Sequence, residues 1–271
     1  ISFKNLDLTI TATKGNVKGT AKLGEPIQFT PTRGGTASVT ATVETVRQTV
    51  EINVGDGDFD LLQDLVNNES LSVINLERNY TYNEFDTITD GVRITRPITI
   101  NGNGFTIDAK GKSRIFNVTA GTINITDVTL KNGKAVNGGA IYFENAISNS
   151  NINATYINNT AKNSGGANYF RNSVSDSNIT GIYAYNTATS NGGANYFRNS
   201  VSDSNITGTY TNNTAKGYGG ANFFTGSVSG SNISGTYINN TAERGGGANN
   251  FDSVSTSNID RDRKSGSAGM P

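Results

Sequence analysis

From about residue 98 onward the chain alternates short apolar or aromatic pieces with runs of Asn, Gly, Ser and Thr, and it does so on a fixed beat. Gly-Gly-Ala begins at 138, 165, 192, 219 and 246, and Asn-Thr-Ala at 159, 186, 213 and 240, so both recur every 27 residues. Apolar positions keep the same register in three series: Phe116, Phe143, Phe170, Phe197, Phe224 and Phe251; Tyr156, Tyr183, Tyr210 and Tyr237; Ile125, Ile152, Ile179, Ile206 and Ile233. Ile259 falls one place early, which one residue deleted after Phe251 accounts for. Each unit holds β-prone pieces such as Ala194-Asn-Tyr-Phe197 separated by residues that accept turn geometry, and none carries a helical stripe. A unit of short strands and turns cannot bury its own apolar side chains, so it must stack on its neighbours. The pattern predicts an all-β parallel solenoid of about three strands per coil, rising about 4.8 Å per coil through strand-to-strand hydrogen bonds.

The series then acquire roles. The Phe copies are expected to stack about 5 Å apart, with the Ile and Tyr series and Ala161, Ala188, Ala215 and Ala242 forming further inward stripes. Asn159, Asn186, Asn213 and Asn240 are expected to form an amide ladder inside a turn. The paired glycines supply positive φ or room for close approach at a corner. Upstream, Ile98-Thr-Ile100, Phe105-Thr-Ile107, Arg114-Ile-Phe116 and Ile123-Asn-Ile125 read as strands of earlier, less regular coils. Before them, Asp58 to Asn67 places Phe59, Leu62, Leu65 and Val66 at helical spacing behind an N-cap candidate, Asp58, and this helix is expected to cover the first coil. Alternation in Thr36–Val43 and Thr49–Val54, broken by glycines, predicts antiparallel strands of a small sandwich, part of an immunoglobulin-like domain. The expected organisation is an immunoglobulin-like β segment over 1–54, a linker and capping helix over 55–70, a parallel β-helix over 71–260 and an irregular tail over 261–271.

Composition narrows the chemistry. The 271 residues include no His and no Cys, which excludes a Ser/His/Asp triad, imidazole metal sites, thiol catalysis and disulfides. No metal and no cofactor is expected. Lys and Arg (22) balance Asp and Glu (22), and no basic stripe is evident along the chain, so nucleic acid is not an expected partner. No apolar run is long enough for a membrane span. The 38 Asn and 32 Gly, which in isolation suggest low complexity, are turn parts counted once per coil.

Three groups of residues are candidate sites. Arg171 and Arg198 with Asp176 and Asp203 are the only charged set repeated in register, and they read as a surface binding row or a solvated loop in which Arg and Asp compensate each other. Asp56-Gly-Asp-Phe-Asp60 alternates acids as calcium loops do, but it lacks the sixth-place glycine and distal glutamate of an EF-hand, which favours helix capping. Asn-x-Ser/Thr acceptors for glycans occur at Asn79, Asn117, Asn158, Asn178, Asn205, Asn212, Asn232 and Asn239, and also at Asn68, Asn124 and Asn153. Copies on adjacent coils lie only about 5 Å apart, so partial occupancy is expected.

Gly138-Gly-Ala-Ile141, paired with Tyr156-Ile-Asn-Asn159, Tyr183-Ala-Tyr-Asn186, Tyr210-Thr-Asn-Asn213 and Tyr237-Ile-Asn-Asn240, resembles the GGAI and FxxN repeat of polymorphic membrane proteins. Ile98–Asp108 and Ser113–Val118 resemble the opening of the solenoid in adhesin-like surface proteins of methanogenic archaea, which join such β-helices to immunoglobulin-like domains. The likeness spans roughly 58–259, with Tyr in place of Phe in the second motif and Gly-Gly-Ala-Asn in the later coils. It implies a right-handed β-helix of about seven coils in an extracellular, cell-surface or cell-envelope protein. The implied role is non-enzymatic adhesion to glycans or proteins of other cells. Two alternatives stand beside it: a structural envelope or filament protein that binds copies of itself, and a β-helix polysaccharide lyase or hydrolase. Hydrolases of this fold use a histidine that the chain lacks.

Overall fold

The computed structural model describes residues 55–259 in full and, within residues 1–54, the backbone of four strands. Those four are β1 (Leu6–Ala12), β2 (Gly15–Ala21), β3 (Gly35–Val43) and β4 (Val46–Val54). They form one antiparallel sheet of order β2-β1-β3-β4, and the two alternating segments of the sequence lie in β3 and β4.

Residues 73–259 form a parallel β-solenoid of about 7 turns. One ten-stranded sheet takes Val92–Ile94, Phe116–Val118, Ile141–Phe143, Asn168–Phe170, Asn195–Phe197, Asn222–Ser229 and Asn249–Val254 from successive coils, with the two-residue strands at Ile147, Val174 and Val201 beside them. A second ten-stranded sheet is built on Val73–Asn75, Ile98–Asn101, Ile123–Lys131, Asn151–Ile157, Asn178–Ala184, Asn205–Thr211, Asn232–Ile238 and Asn258–Ile259. Five two-residue strands, from Lys134–Ala135 to Thr241–Ala242, make the third side.

Stacking in register puts like on like. Phe143, Phe170, Phe197, Phe224 and Phe251 stack with centroids 4.4 to 4.7 Å apart and planes within 7°. Tyr156, Tyr183, Tyr210 and Tyr237 do the same at 4.7 to 5.0 Å. The missing residue near the C-terminal end is visible as a register shift: Phe224 faces Phe251, but Ser227 already faces Ser253. Ile233 consequently faces Ile259.

One expected member is displaced. Phe116 faces Ile141, and Val118 takes the place below Phe143. The path from Val118 to Asn124 is two residues shorter than the equivalent path from Phe143 to Asn151, so the 27-residue distance between Phe116 and Phe143 does not correspond to one coil. Phe116 is still fully buried.

The helix α1 (Phe59–Asn67) closes the first coil. The carboxylate of Asp58 accepts the backbone N–H of Leu61 at 2.7 Å, and Phe59, Leu62 and Val66 enter the core. Gln63 completes the closure on the edge strand Val92–Ile94. Its side-chain oxygen accepts the N–H of Arg93 at 2.7 Å and its Nε2 donates to the carbonyl of Arg93 at 3.0 Å, so one amide stands in for a missing strand. Arg96 donates to the carbonyls of Val66, Asn68 and Leu71, satisfying the C-terminal end of the helix.

Candidate functional surface

Three corners hold each regular coil, and each has its own device. At the first, the side-chain oxygen of Asn186 accepts both the backbone N–H and the Nδ2 of Asn159 at 3.0 Å, while its own Nδ2 donates to the Tyr156 carbonyl and to Oδ1 of Asn213. Asn213 and Asn240 repeat the pattern, so the expected amide ladder is present and fully buried. The residue before each ladder member has positive φ: Asn158, Tyr185, Asn212 and Asn239 lie between 52° and 58°. Asn tolerates this left-handed backbone and Tyr does so poorly.

The second corner is Gly-Gly-Ala. Gly165 has φ +70°, and a Cβ on Gly166 would lie 2.0 Å from the carbonyl oxygen of Gly193 on the next coil. The first glycine is thus needed for conformation and the second for approach.

At the third corner the hydroxyls of Ser177, Ser204 and Ser231 each accept the N–H of the serine one coil earlier and donate to the carbonyl two residues back. Between each pair sits another positive-φ position, filled by Asn149, Asp176, Asp203 and Gly230. Asp176 and Asp203, the candidate binding row, are therefore exposed residues at a left-handed turn. Arg171 is paired with Glu144 at 3.7 Å rather than with Asp176. Arg198 lies beside the hydroxyl of Tyr169. Among the described residues no ion pair joins these arginines to these aspartates.

Inside the solenoid runs a polar column that the sequence did not announce. Where the first regular coil has Ile141, the next have Asn168, Asn195, Asn222 and Asn249, each Nδ2 donating to the next Oδ1 at 2.9 to 3.0 Å. The hydroxyls of Tyr156, Tyr183 and Tyr210 face this column without reaching hydrogen-bond geometry. Burial pushes all three phenols well above their ordinary value of 10.0. The departure from GGAI to Gly-Gly-Ala-Asn was the available signal, since an inward Asn repeated every 27 residues can stack only on itself.

The second ten-stranded sheet carries the outward face. Its rows are Asn151, Asn178, Asn205 and Asn232; then Asn153, Thr180, Thr207 and Ser234; then Thr155, Ile182, Thr209 and Thr236. In the first row each Nδ2 donates to the previous coil's Oδ1 at 2.8 to 2.9 Å, an external amide ladder. Three glycan-acceptor candidates, Asn178, Asn205 and Asn232, belong to it. Asn158 and Asn239 are exposed at the first corner and Asn212 is half-buried there. Asn79 and Asn117 are half-buried, and their Nδ2 groups donate to Asp56 and Asp90.

The acids of Asp56-Gly-Asp-Phe-Asp60 diverge. Asp56 accepts from the Thr81 hydroxyl at 3.0 Å, Asp58 caps α1, and Asp60 accepts the N–H and hydroxyl of Thr87. Asp86 nearby accepts the N–H groups of Asp60 and Asn83, and burial raises its carboxyl above the ordinary range. No described helix is long and apolar enough to cross a membrane. No protein-family model, curated protein or solved structure matches the chain.

Lysines far apart in sequence also converge. Lys110, Lys112, Lys131, Lys134 and Lys162 come together where the third side meets the early coils, around two clefts of about 290 and 400 Å³. A linear reading of charge misses them because they are spread over more than 50 positions.

Proposed function

We propose that the chain is a non-catalytic binding rod of a cell surface, an adhesin-like protein whose solenoid displays repeated side chains to glycans or proteins of other cells. The observation that carries this reading is the outward face of the second sheet. Its rows of Asn, Thr and Ser are uncharged, ordered by the external amide ladder and repeated at each coil. A face fixed in advance loses little side-chain freedom on contact, and weak contacts repeated along a rod combine into avidity for a polymer or a crowded surface. The perturbed titratable groups also favour a non-catalytic role. They are Tyr80, Tyr156, Tyr183 and Tyr210 in the core, Tyr82 and Tyr169 nearer the surface, and Asp86 and Asp108, which are bound in local hydrogen bonds. The sequence likeness to surface proteins of methanogenic archaea supports the setting, and a glycan at the exposed Asn239 fits it.

The test is binding of the whole chain to a glycan array and to intact cells, beside a Thr180→Lys/Thr207→Lys/Ser234→Lys variant. These positions point outward, so the fold should persist while binding falls. Equal binding by both proteins, or none by either, overturns the reading. Self-association is the second reading, favoured by exposed Ile182 (51%), Tyr185 (58%) and Ile238 (43%) on or beside the same face. Sedimentation velocity distinguishes the two, since a self-assembling chain sediments faster as its concentration rises.

A further inference from the structure

The net charge of zero hides an uneven distribution. Lys112, Lys134 and Lys162 are exposed and, among the described residues, carry no ion pair. They line the larger cleft together with Arg114 and Asp90. Arg114 is fixed as its floor: Nε meets Asp90 at 2.7 Å, an Nη donates to the Asn137 carbonyl, and the guanidinium lies 4.9 Å over the Tyr142 ring. The adjoining cleft shares Lys134 and adds Lys110, Asn132, Asn158 and Thr160. Asp108 sits at its edge between Lys110 (3.3 Å) and Lys131 (3.5 Å). Burial alone pushes the Asp108 carboxyl up, but hydrogen bonds from Asn132 and Lys110 with the Lys110 charge outweigh it and hold it below the usual range. Asp90 and Asp108 are thus the carboxylates facing six cationic side chains.

We propose that these clefts form a binding site for a linear anionic polysaccharide, one bearing carboxylate or sulfate groups at regular intervals. The lysines fall on successive coils: the N–H of Lys134 donates to the Ser113 carbonyl beside Lys112, and that of Lys162 to the Ala135 carbonyl beside Lys134. Cationic groups therefore rise by about 4.8 Å per coil along a diagonal, since Lys134 pairs with Thr160 and Lys162 lies two residues beyond it. Asn132, Asn158 and Thr160 offer hydrogen bonds to sugar hydroxyls. A nucleic acid strand fits less well because it needs open aromatic faces for its bases. The nearest ring, Tyr142, has one face under Arg114 and the other on Tyr169.

The site rests on the reading of the solenoid as a binding rod but uses a different side of it. The experiment measures binding of the whole chain to polygalacturonate, dextran sulfate, neutral dextran and poly(dT) at low and high salt. The variants are Lys112→Ser/Lys134→Thr/Lys162→Thr, the single changes Lys134→Thr and Lys162→Thr, and the triple Lys→Arg exchange. Thr already fills the position of Lys134 on the following coils, which protects the fold. Expected are salt-sensitive binding to one or both anionic polysaccharides, an affinity loss of about tenfold in the triple variant, smaller losses in the singles and retention with arginine. Undiminished binding by the triple variant, or tighter binding of poly(dT) or neutral dextran, overturns the site. If neutral glycans bind through the Asn/Thr face and anions do not, this proposal fails alone. If nothing binds, both fail.

Discussion

At the first corner each of Asn159, Asn186 and Asn213 gives its Nδ2 to two acceptors and has its N–H taken by the next coil, whereas Asn168 and Asn195 in the sheet give theirs to one. Both columns are buried amides repeated every 27 residues, but they answer different needs. The corner amides replace backbone partners that the chain loses where it turns, and the column starts at Gly133, whose N–H donates to Asn159 Oδ1. The sheet amides sit where the backbone is already paired in its ladder, and Ile141 fills the same place one coil earlier. The change from Ile141 to Asn168 is matched in the neighbouring column by the change from Leu130 to Tyr156. The polar pair Tyr156 and Asn168 thus takes the place of an apolar pair, with hydroxyls that remain unpartnered. A repeated polar residue inside a core is therefore not by itself a sign of necessity; what its side chain does for the backbone decides.

The widest gap between the columns should appear on truncation. Asn186→Ala removes the side-chain partners of the Asn159 N–H and the Tyr156 carbonyl and leaves Asn159 Nδ2 and Asn213 Oδ1 with one bond each, and should cost about 4 kcal/mol, against about 2 kcal/mol for Asn195→Ala. Urea denaturation of both variants measures the difference, and equal losses would erase the distinction.

The tyrosine column should reveal itself in alkali. A buried phenol with a raised pKa adds stability that is complete below the unfolded value of about 10 and is lost as the pH climbs past it, because only the unfolded chain then ionises. For Tyr156, Tyr183 and Tyr210 together the loss should approach roughly 4 kcal/mol per pH unit above pH 10. Tyr183→Phe should reduce that slope by about a third, and removing its unpartnered hydroxyl should raise stability at neutral pH by about 1 kcal/mol. An unchanged slope would mean that the hydroxyls reach solvent.

The smallest effect concerns Tyr185, whose φ of +58° is shared with Asn at the equivalent places. Tyr185→Asn should stabilise the corner by about 0.5 kcal/mol, readable as a small rise in melting temperature. A fall would show that the Tyr185 ring contributes more than its backbone strain removes.

The period, the capping helix and the corner ladder were legible because each depends on local identity: Asp58 before an apolar stripe, or Asn-Thr-Ala at a constant interval. The place of Phe116 was not, because a turn shortened by two residues moves a column without changing the spacing of the residues around it. Asp176 and Asp203 looked like a charged row, yet their position at a left-handed turn gives Asp a backbone reason to be there. The lysine clefts were hidden for the opposite reason, since Lys112, Lys134 and Lys162 have no common spacing and only folding brings them together.

The near-identical coils carry a consequence for how such a molecule changes over generations. A chain that lost residues 178–204 would join Ser177 to Asn205 in the same Ser-Asn sequence it has now, and every column would close over the gap. Gain or loss of whole repeats therefore adjusts reach in steps of about 4.8 Å and leaves each surviving contact intact. Length is the property that this architecture lets selection vary most freely.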